Sequence, residues 1–216
     1  GYGFAWYNDD GRPAVYINPA PIWTDPNLPH LARALVSDLW ITSVRSASAG
    51  NPVNHANTQP FVDAEFIFDH NGLIDDFHAR FRPRIVADLE PHYLAGILGN
   101  TESEYLFAVL RQLLANDPDL PMEAALAELM QRVEAWADGG RCLLNIVVSD
   151  GERLYASFGS NGIYCLDLDG ELLWHKDLGD MRTRNSFGEG SSPVLYSGTL
   201  VAAPPSTPAA FTSVTP

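Results

Sequence analysis

The chain has 216 residues, of which 46% are apolar, and a formal net charge of −14 at pH 7. This length and apolar fraction suffice for one large domain, or for one domain and part of another. The acidic balance argues against nucleic acid and anionic membranes as partners, and the chain has no apolar run of about 18 residues that would span a membrane.

The first part of the chain predicts strands and one short helix. Residues 3–7 (GFAWY) and 14–19 (AVYINP) are apolar runs joined by the turn signal NDDG, a pattern typical of paired strands. Residues 26–36 place leucines on one side of a short helix. Residues 38–45 (DLWITSVR) then predict a buried strand that ends at Arg45.

Asn71-Gly72 lies between two apolar segments, EFIFDH and GLIDDF. This dipeptide is the commonest one of a two-residue type I′ turn. The local pattern therefore predicts a β-hairpin centred on residues 71 and 72.

Helices follow, and then the pattern returns to strands. In TESEYLFAVLRQLLAND, Thr101 and Glu104 have the spacing of a capping box at the start of a helix. Residues 121–140 are the clearest amphipathic helix, with Gly139 as its end signal. CLLNIVVSDGERLYAS predicts two strands around a DG turn, and short strands with NG and DG turns continue beyond it.

Four segments in this order resemble one enzyme family: GYGFAWY; SVRSASAG followed by NTQPF; DHNGLIDDF; and GNTESEYLFAVLRQLL. They resemble the class II glutamine amidotransferases, which are N-terminal-nucleophile hydrolases that release ammonia from glutamine. Within that family the chain looks similar to the amidohydrolase of ergothioneine biosynthesis. The resemblance covers residues 1–156 and implies an α+β fold, a four-layer αββα sandwich that lacks its first strand.

The resemblance implies that Asn71 and Gly72 are catalytic residues. In the family, the asparagine side-chain amide and the next glycine N–H form the oxyanion hole that stabilises the tetrahedral intermediate of amide hydrolysis. Glycine at position 72 also lets the backbone approach a substrate closely. The alternative for these two residues is a turn and nothing more, and both interpretations are compatible.

Three further residues are implied to bind substrate. Arg45 corresponds to the arginine that holds the α-carboxylate of glutamine, for which a guanidinium has the right fork geometry; the alternative is a surface ion pair. Ser48 lies where the family often has a substrate-contacting threonine or serine. Glu102 lies where the family usually has aspartate for the α-ammonium; a favourable interaction with a helix N-terminus is the alternative.

Other residues of these motifs have structural roles by the same comparison. Asn57 matches the family and is expected to fix the loop near the site, whereas Gln59 replaces the family's usual histidine. His70 is a candidate general base by residue type. The family, however, uses the α-amino group of its first residue as the base, so we expect His70 to have a structural role.

The family's nucleophile is a cysteine at the first position of the mature chain, and this chain begins with Gly1. GYGFAWY resembles a stretch some tens of residues inside the family's domain, so the first strand and the nucleophile are expected to be absent. Cys142 and Cys165 are expected to be small buried hydrophobic residues. We therefore expect residues 1–216 not to hydrolyse glutamine.

Residues 157–202, with the core NGIYCLDLDGELLW, resemble one repeat of the quinoprotein-like β-propellers. A single repeat cannot close a ring, and no bound quinone is implied. Residues 203–216 are low in complexity and are expected to be disordered.

The sequence therefore predicts an amidotransferase-like domain that acts on glutamine or a γ-glutamyl amide but is inactive as given. The alternative is a non-catalytic γ-glutamyl-binding or scaffold protein with a propeller-type interaction segment. A small molecule is the expected partner, with no cofactor or metal; the oligomeric state stays open. Two cysteines without metal-ligand spacing and no visible secretion signal favour a cytoplasmic location.

Overall fold

The computed structural model describes residues 1–45, 52–158, 162–177, 194–196 and 199–201. Ser48 and the predicted disordered tail, residues 203–216, lie outside the described residues. The strands are β1 (Tyr2–Tyr7), β2 (Pro13–Asn18), β3 (Trp40–Val44), β4 (Phe61–Val62), β5 (Ile67–Ile74), β6 (Cys142–Ser149), β7 (Leu154–Phe158), β8 (Ile163–Leu166), β9 (Leu172–Lys176), β10 (Val194–Tyr196) and β11 (Thr199–Val201). The helices are α1 (Leu28–Ala34), α2 (Arg82–Asp88), α3 (Pro91–Ala95), α4 (Glu102–Asn116) and α5 (Met122–Ala137).

These strands form two sheets. The first sheet has the order β10-β11-β3-β1-β2, with β11 parallel to β3 and the other neighbours antiparallel. The second sheet has the order β4-β5-β6-β7-β8-β9 and is antiparallel throughout. The fold is thus a mixed arrangement of two sheets with helices.

Two apolar cores define the layers. One lies between the sheets and joins β1 and β3 to β5, β6 and β7 through residues such as Ala5, Ile41 and Ile67. The larger core lies on the other face of the second sheet, under α2, α4 and α5. Helix α1 buries none of its residues. The described residues therefore form three layers: the first sheet, the second sheet and the helices packed on it. A second helical layer outside the first sheet and the absence of a first strand stay predictions.

The predicted hairpin at Asn71-Gly72 is wrong. Strand β5 runs through both residues, and it pairs with β6 continuously from Ile67 opposite Ser149 to Ile74 opposite Cys142. A type I′ turn needs positive φ at both central residues, and neither Asn71 nor Gly72 has it. The long-range ladder with β6 outweighs the local turn preference of the dipeptide.

The predicted capping box at the start of α4 does not form either. Thr101 occupies the N-cap position, but its side chain makes no capping hydrogen bond. The Glu104 carboxylate instead accepts hydrogen bonds from the backbone N–H groups of Leu98 and Gly99, each at 2.7 Å. Glu104 therefore fixes the loop that leads into the helix.

The junction predicted between residues 156 and 157 falls inside β7. Beyond it, β8 and β9 extend the second sheet, and Ile163 and Cys165 are buried in the larger core. A separate propeller-like unit over residues 157–202 therefore stays a prediction. In the part of the chain that the structure describes, no helix is both long and apolar enough to cross a membrane.

Candidate active site

Strand β5 has two different faces because successive side chains of a strand point to opposite sides of its sheet. Ile67 belongs to the core between the sheets, whereas Phe68 belongs to the core under the helices. By this alternation Asp69 and Asn71 face the first sheet, and His70 faces the helices. The strand thus separates the region between the two sheets, here called the cleft, from a polar cluster behind it.

The cleft has a polar end that follows directly after the apolar core between the sheets. Ser43 and Asp69 are buried there, with 7% and 4% of their surfaces exposed. Asn71 lies opposite Asn145 in the ladder between β5 and β6, and Asn145 is also buried. These side chains, together with Arg45 just after β3, form the candidate site.

Arg45 is held through its backbone by the first residue of the chain. Its N–H donates to the Gly1 carbonyl at 3.1 Å, and the Gly1 amino group donates to the Arg45 carbonyl at 3.0 Å. The guanidinium Nη1 is buried and has no hydrogen-bond partner among the described residues. An arginine is always charged, and a buried N–H without an acceptor is costly. An anionic group or a carbonyl oxygen of a ligand would therefore be a favourable hydrogen-bond acceptor for Nη1 of Arg45.

Asp69 is the buried acid of the cleft. The Ser43 hydroxyl hydrogen-bonds to its carboxyl group, while Oδ1 is buried without a partner among the described residues. Burial raises the pKa of Asp69 to about 6, and the Ser43 hydrogen bond and the Arg45 charge oppose that rise. Sequence reasoning missed Asp69 and Ser43, although Asp69 is two residues from Asn71 and therefore on the same face of the strand.

Behind β5, a buried polar cluster holds the strand in place. The Gln59 side-chain amide pairs with the His70 backbone: Nε2 donates to the His70 carbonyl at 2.8 Å, and the His70 N–H donates to Oε1 at 2.7 Å. The His70 ring lies 2.9 Å from the Ser103 hydroxyl through Nδ1 and 3.4 Å from the Leu143 carbonyl through Nε2. Burial, helped by the charge of Arg45, lowers the pKa of His70 to about 3. This neutral, fully engaged ring agrees with the expected structural role of His70.

Gly72 is required by close packing. A Cβ at this position would lie 1.8 Å from the Leu143 carbonyl oxygen and 2.5 Å from His70 Nε2. The direction of the Gly72 N–H follows from that of His70. Backbone N–H groups two residues apart in a strand point to the same edge of the strand, and the His70 N–H points toward Gln59, away from β6. The Gly72 N–H is therefore directed to the edge of β5 that β4 leaves uncovered, since β4 pairs only as far as Phe68. That direction suits an amide that donates to a ligand.

The start of α4 lies behind the same strand, because Ser103 contacts the His70 ring. Glu102 is the first residue of the helix and is 5% exposed, and Thr101 Oγ1 is buried without a partner among the described residues. No ion pair joins Glu102 to Arg45 in the described part of the chain. The expected role of Asn57 in fixing the loop is consistent with its side-chain amide, which donates to Asn100 Oδ1 at 2.9 Å and accepts from the Asn100 N–H at 3.0 Å.

Neither thiol suits a nucleophile. Burial raises the pKa of Cys142 to about 12, and burial also raises the pKa of the Cys165 thiol. Reactive cysteines have lowered pKa values, because the thiolate is the attacking species. Among the described residues, no group of histidine, cysteine and acidic side chains has the arrangement of a metal site.

Solved structures of known proteins resemble this chain in overall fold. A glutamine aminotransferase class-II domain protein from Silicibacter pomeroyi is 29% identical, with a TM-score of 0.58 over 77% of this chain and 71% of that one. The glutamine phosphoribosylpyrophosphate amidotransferase of B. subtilis is 11% identical, with a TM-score of 0.52 over 74% of this chain and 31% of that one, and so shows likeness of fold alone.

Curated relatives agree. The probable glutamine amidotransferase DUG3 of Saccharomyces cerevisiae is 27% identical over 182 residues, which are 73% of this chain and 50% of that protein. The gamma-glutamyl-hercynylcysteine sulfoxide hydrolase of Mycobacterium tuberculosis is 36% identical over 75 residues, 35% of this chain and 32% of that protein. The chain thus spans half or less of the curated relatives it matches. The family described as "Glutamine amidotransferases class-II" matches residues 1–168, and the chain belongs to it.

Proposed function

We propose that this chain binds glutamine or another γ-glutamyl amide in the cleft between its two sheets. The observation that carries the proposal is the buried, unpartnered Nη1 of Arg45 in the same cleft as Asn71. A ligand carboxylate would satisfy that N–H, and a guanidinium binds carboxylates in a forked, charge-assisted geometry. Membership of the class II amidotransferases supports a ligand of this kind.

The amide end of the ligand would lie at Asn71 and Gly72. Attack on a carboxamide places negative charge on its carbonyl oxygen, and donors that are already in position lower that barrier by about 3–4 kcal/mol each. The Gly72 N–H points to the uncovered edge of β5, and the Asn71 side chain shares the cleft face with Asp69. These two donors are our proposed oxyanion hole.

The amino-acid end would lie at Arg45, with an acidic residue for the α-ammonium group. Glu102 is the acid that the family resemblance implies, and Ser48 is a proposed further contact outside the described residues. The hydrolase of Mycobacterium tuberculosis carries a γ-glutamyl substrate in its name, which supports a γ-glutamyl compound as an alternative to glutamine itself.

We further propose that residues 1–216 bind such a ligand without hydrolysing it. Hydrolysis in this scheme needs a reactive thiol, and both thiols of the chain have raised pKa values. The same observation favours the second candidate, a non-catalytic γ-glutamyl-binding protein. Ammonia release from glutamine above a control without protein would refute the inactive assignment.

Isothermal titration with L-glutamine tests the binding site. We expect Arg45→Ala to weaken binding by about 10- to 100-fold, because a hydrogen bond to a charged group contributes about 1.5–3 kcal/mol. Arg33→Ala is the matched control, since Arg33 is exposed in α1, and it should bind like the unaltered chain. Equal affinities of the two variants, or glutamine binding no tighter than that of leucine, would refute the proposed function.

A further inference from the structure

We propose that a cavity beside the start of β5, on the helix side of the second sheet, binds a small organic cation with an apolar body, such as an aromatic amine. The cavity has a volume of about 540 Å³, which is within the usual range of small-molecule pockets. It is separate from the cleft, and a ligand there does not depend on the proposed function.

The cavity lies away from the candidate active site. Asp63 and Phe66, which line it, precede Ile67, the first residue of β5. Ile67 is itself about 13 Å from Asn71 along the strand, at about 3.3 Å per residue. Tyr155, another lining residue, belongs to the core under the helices. A ligand in this cavity would therefore be on the other side of the second sheet from the cleft.

The wall of the cavity is largely aromatic and aliphatic. The rings of Phe66, Tyr93 and Tyr155 line it. Leu114 near the end of α4 and Met122 at the start of α5 contribute aliphatic surface. The face of an aromatic ring attracts a cation, and the attraction grows when water is excluded. This wall therefore suits a ligand with an apolar body and a positive charge.

The charged side chains of the cavity leave a negative excess. Three acidic residues and one basic residue line it, a formal balance of −2: Asp63, Glu65, Asp150 and Arg111. Arg111 is already paired, because its Nε donates to Asp63 Oδ2 at 2.7 Å. The Glu65 carboxylate makes no hydrogen bond or ion pair in the described part of the chain. The net charge of −14 adds to the attraction for a cation.

Tyr93 supplies a hydrogen-bond acceptor that the protein does not use. It is 7% exposed, and its hydroxyl makes no hydrogen bond to any of the described residues. Buried polar groups are nearly always partnered, and a phenol oxygen can accept from an ammonium N–H. Asp150 offers a second acceptor: Oδ1 accepts the N–H groups of Glu152 and Arg153, whereas Oδ2 has only a long 3.4 Å contact with the Tyr155 hydroxyl.

An anion at Arg111 is the competing assignment. The guanidinium lies over the rings of Tyr93 and Phe107, 5.8 and 5.6 Å from their centroids, and its charge is balanced by Asp63. An anion would also be repelled by Glu65 and by the acid of the neighbouring turn, since like charges brought together are unfavourable. The charge balance therefore favours a cation.

The experiment measures binding to the full 216-residue chain by isothermal titration. The probes are 2-phenylethylamine, 2-phenylethanol and 3-phenylpropionate, which are similar in shape but cationic, neutral and anionic. We expect the amine to bind at least about tenfold more tightly than the alcohol, because its ammonium group adds charge-assisted hydrogen bonds. The anionic probe should bind more weakly than the alcohol.

Substitutions locate the charge recognition. The double variant Glu65→Gln, Asp150→Asn should bring the affinities for the amine and the alcohol within about threefold of each other. Glu134→Gln is the matched control, because Glu134 is an exposed acid of α5, and it should keep the preference for the amine. Tyr93→Phe retains the ring and should weaken binding of the amine more than that of the alcohol.

The outcomes separate this site from the cleft. Failure of the amine to bind, tighter binding of the anionic probe, or an unchanged preference in the double variant would refute the inference. Competition between excess L-glutamine and the amine would refute it too, because both would then occupy the cleft. Arg45→Ala should leave binding of the amine within about twofold, whether or not glutamine binds. Circular dichroism verifies folding, and Glu65→Gln alone, at an exposed position, should still lower the preference if the double variant unfolds.

Discussion

Asp69 and His70 are buried neighbours that should affect the pH dependence of stability in opposite directions. Burial lowers the pKa of His70 from 6.5 to about 3, so between these values the unfolded chain binds a proton that folded His70 does not. Acidification through that range therefore destabilises the fold. Burial raises the pKa of Asp69 from 3.8 to about 6, so between these values the folded chain binds the extra proton. Acidification through this second range stabilises the fold, and the two effects oppose each other between about pH 6 and pH 4.

Asp69→Asn removes one of the two opposing effects. Each group changes the free energy of unfolding by about 1.4 kcal/mol per pH unit within its range. The Asp69 range covers roughly two pH units, so its full contribution is about 3 kcal/mol. At about pH 7 the variant is relieved of a buried charge, and we expect its stability to equal or exceed that of the unaltered chain. At about pH 4 that relative advantage should have fallen by about 3 kcal/mol.

Urea unfolding at a series of pH values, followed by tryptophan fluorescence, measures this difference directly, since the chain has 5 tryptophans. Asp119→Asn is the matched control, because Asp119 is an exposed acid in the loop after α4. It should give a stability curve parallel to that of the unaltered chain. Parallel curves for Asp69→Asn as well would mean that Asp69 does not hold an unusual proton, and the reasoning would be wrong.

Two further substitutions test the support of β5. Gly72→Ala should lower the free energy of unfolding by about 1–3 kcal/mol through overpacking against the Leu143 carbonyl, and the melting temperature by roughly 2–12 °C. Gly96→Ala is the control and should lower neither quantity, because a Cβ at Gly96 has its nearest contact at an ordinary 3.4 Å. Equal melting temperatures of the two variants would contradict the packing argument. Gln59→Leu leaves two buried backbone groups of His70 without partners, at a cost of about 1–3 kcal/mol each. Hydrogen exchange of the His70 amide should accelerate, and unchanged protection would show that the Gln59 side chain does not continue the ladder.

The sequence predicted those elements whose apolar pattern is long and regular. The apolar period predicts a helix over residues 121–140, and α5 spans Met122–Ala137, because its apolar stripe packs against the second sheet. The strand pair at the start of the chain was likewise confirmed as β1 and β2. In both cases the local pattern and the tertiary environment favour the same structure.

The candidate site was less predictable, because long-range pairing decides it. Asn71-Gly72 has the local signal of a turn, and only the partner strand β6 keeps β5 straight through it. In the sequence Gln59 is only a departure from the family, yet its side chain takes the place of a backbone hydrogen-bond partner for His70. Nothing within a few residues of Gln59 shows this, since the contact spans eleven positions of the chain.

Two-residue periodicity explains why one strand can carry both the proposed chemistry and its support. On one face of β5, Asp69 and Asn71 line the cleft with Arg45; on the other, His70 is held by Gln59 and Ser103. A shift of β5 by one residue would exchange the two faces and place His70 in the cleft. The buried hydrogen bonds of His70 oppose that shift, because each would be broken in an apolar interior. The hydrogen bonds of His70 on the helix side of β5 therefore determine which side chains of the strand can contact a ligand on the cleft side. Substitutions of Gln59 or Ser103 should for this reason alter glutamine binding, although neither residue faces the cleft.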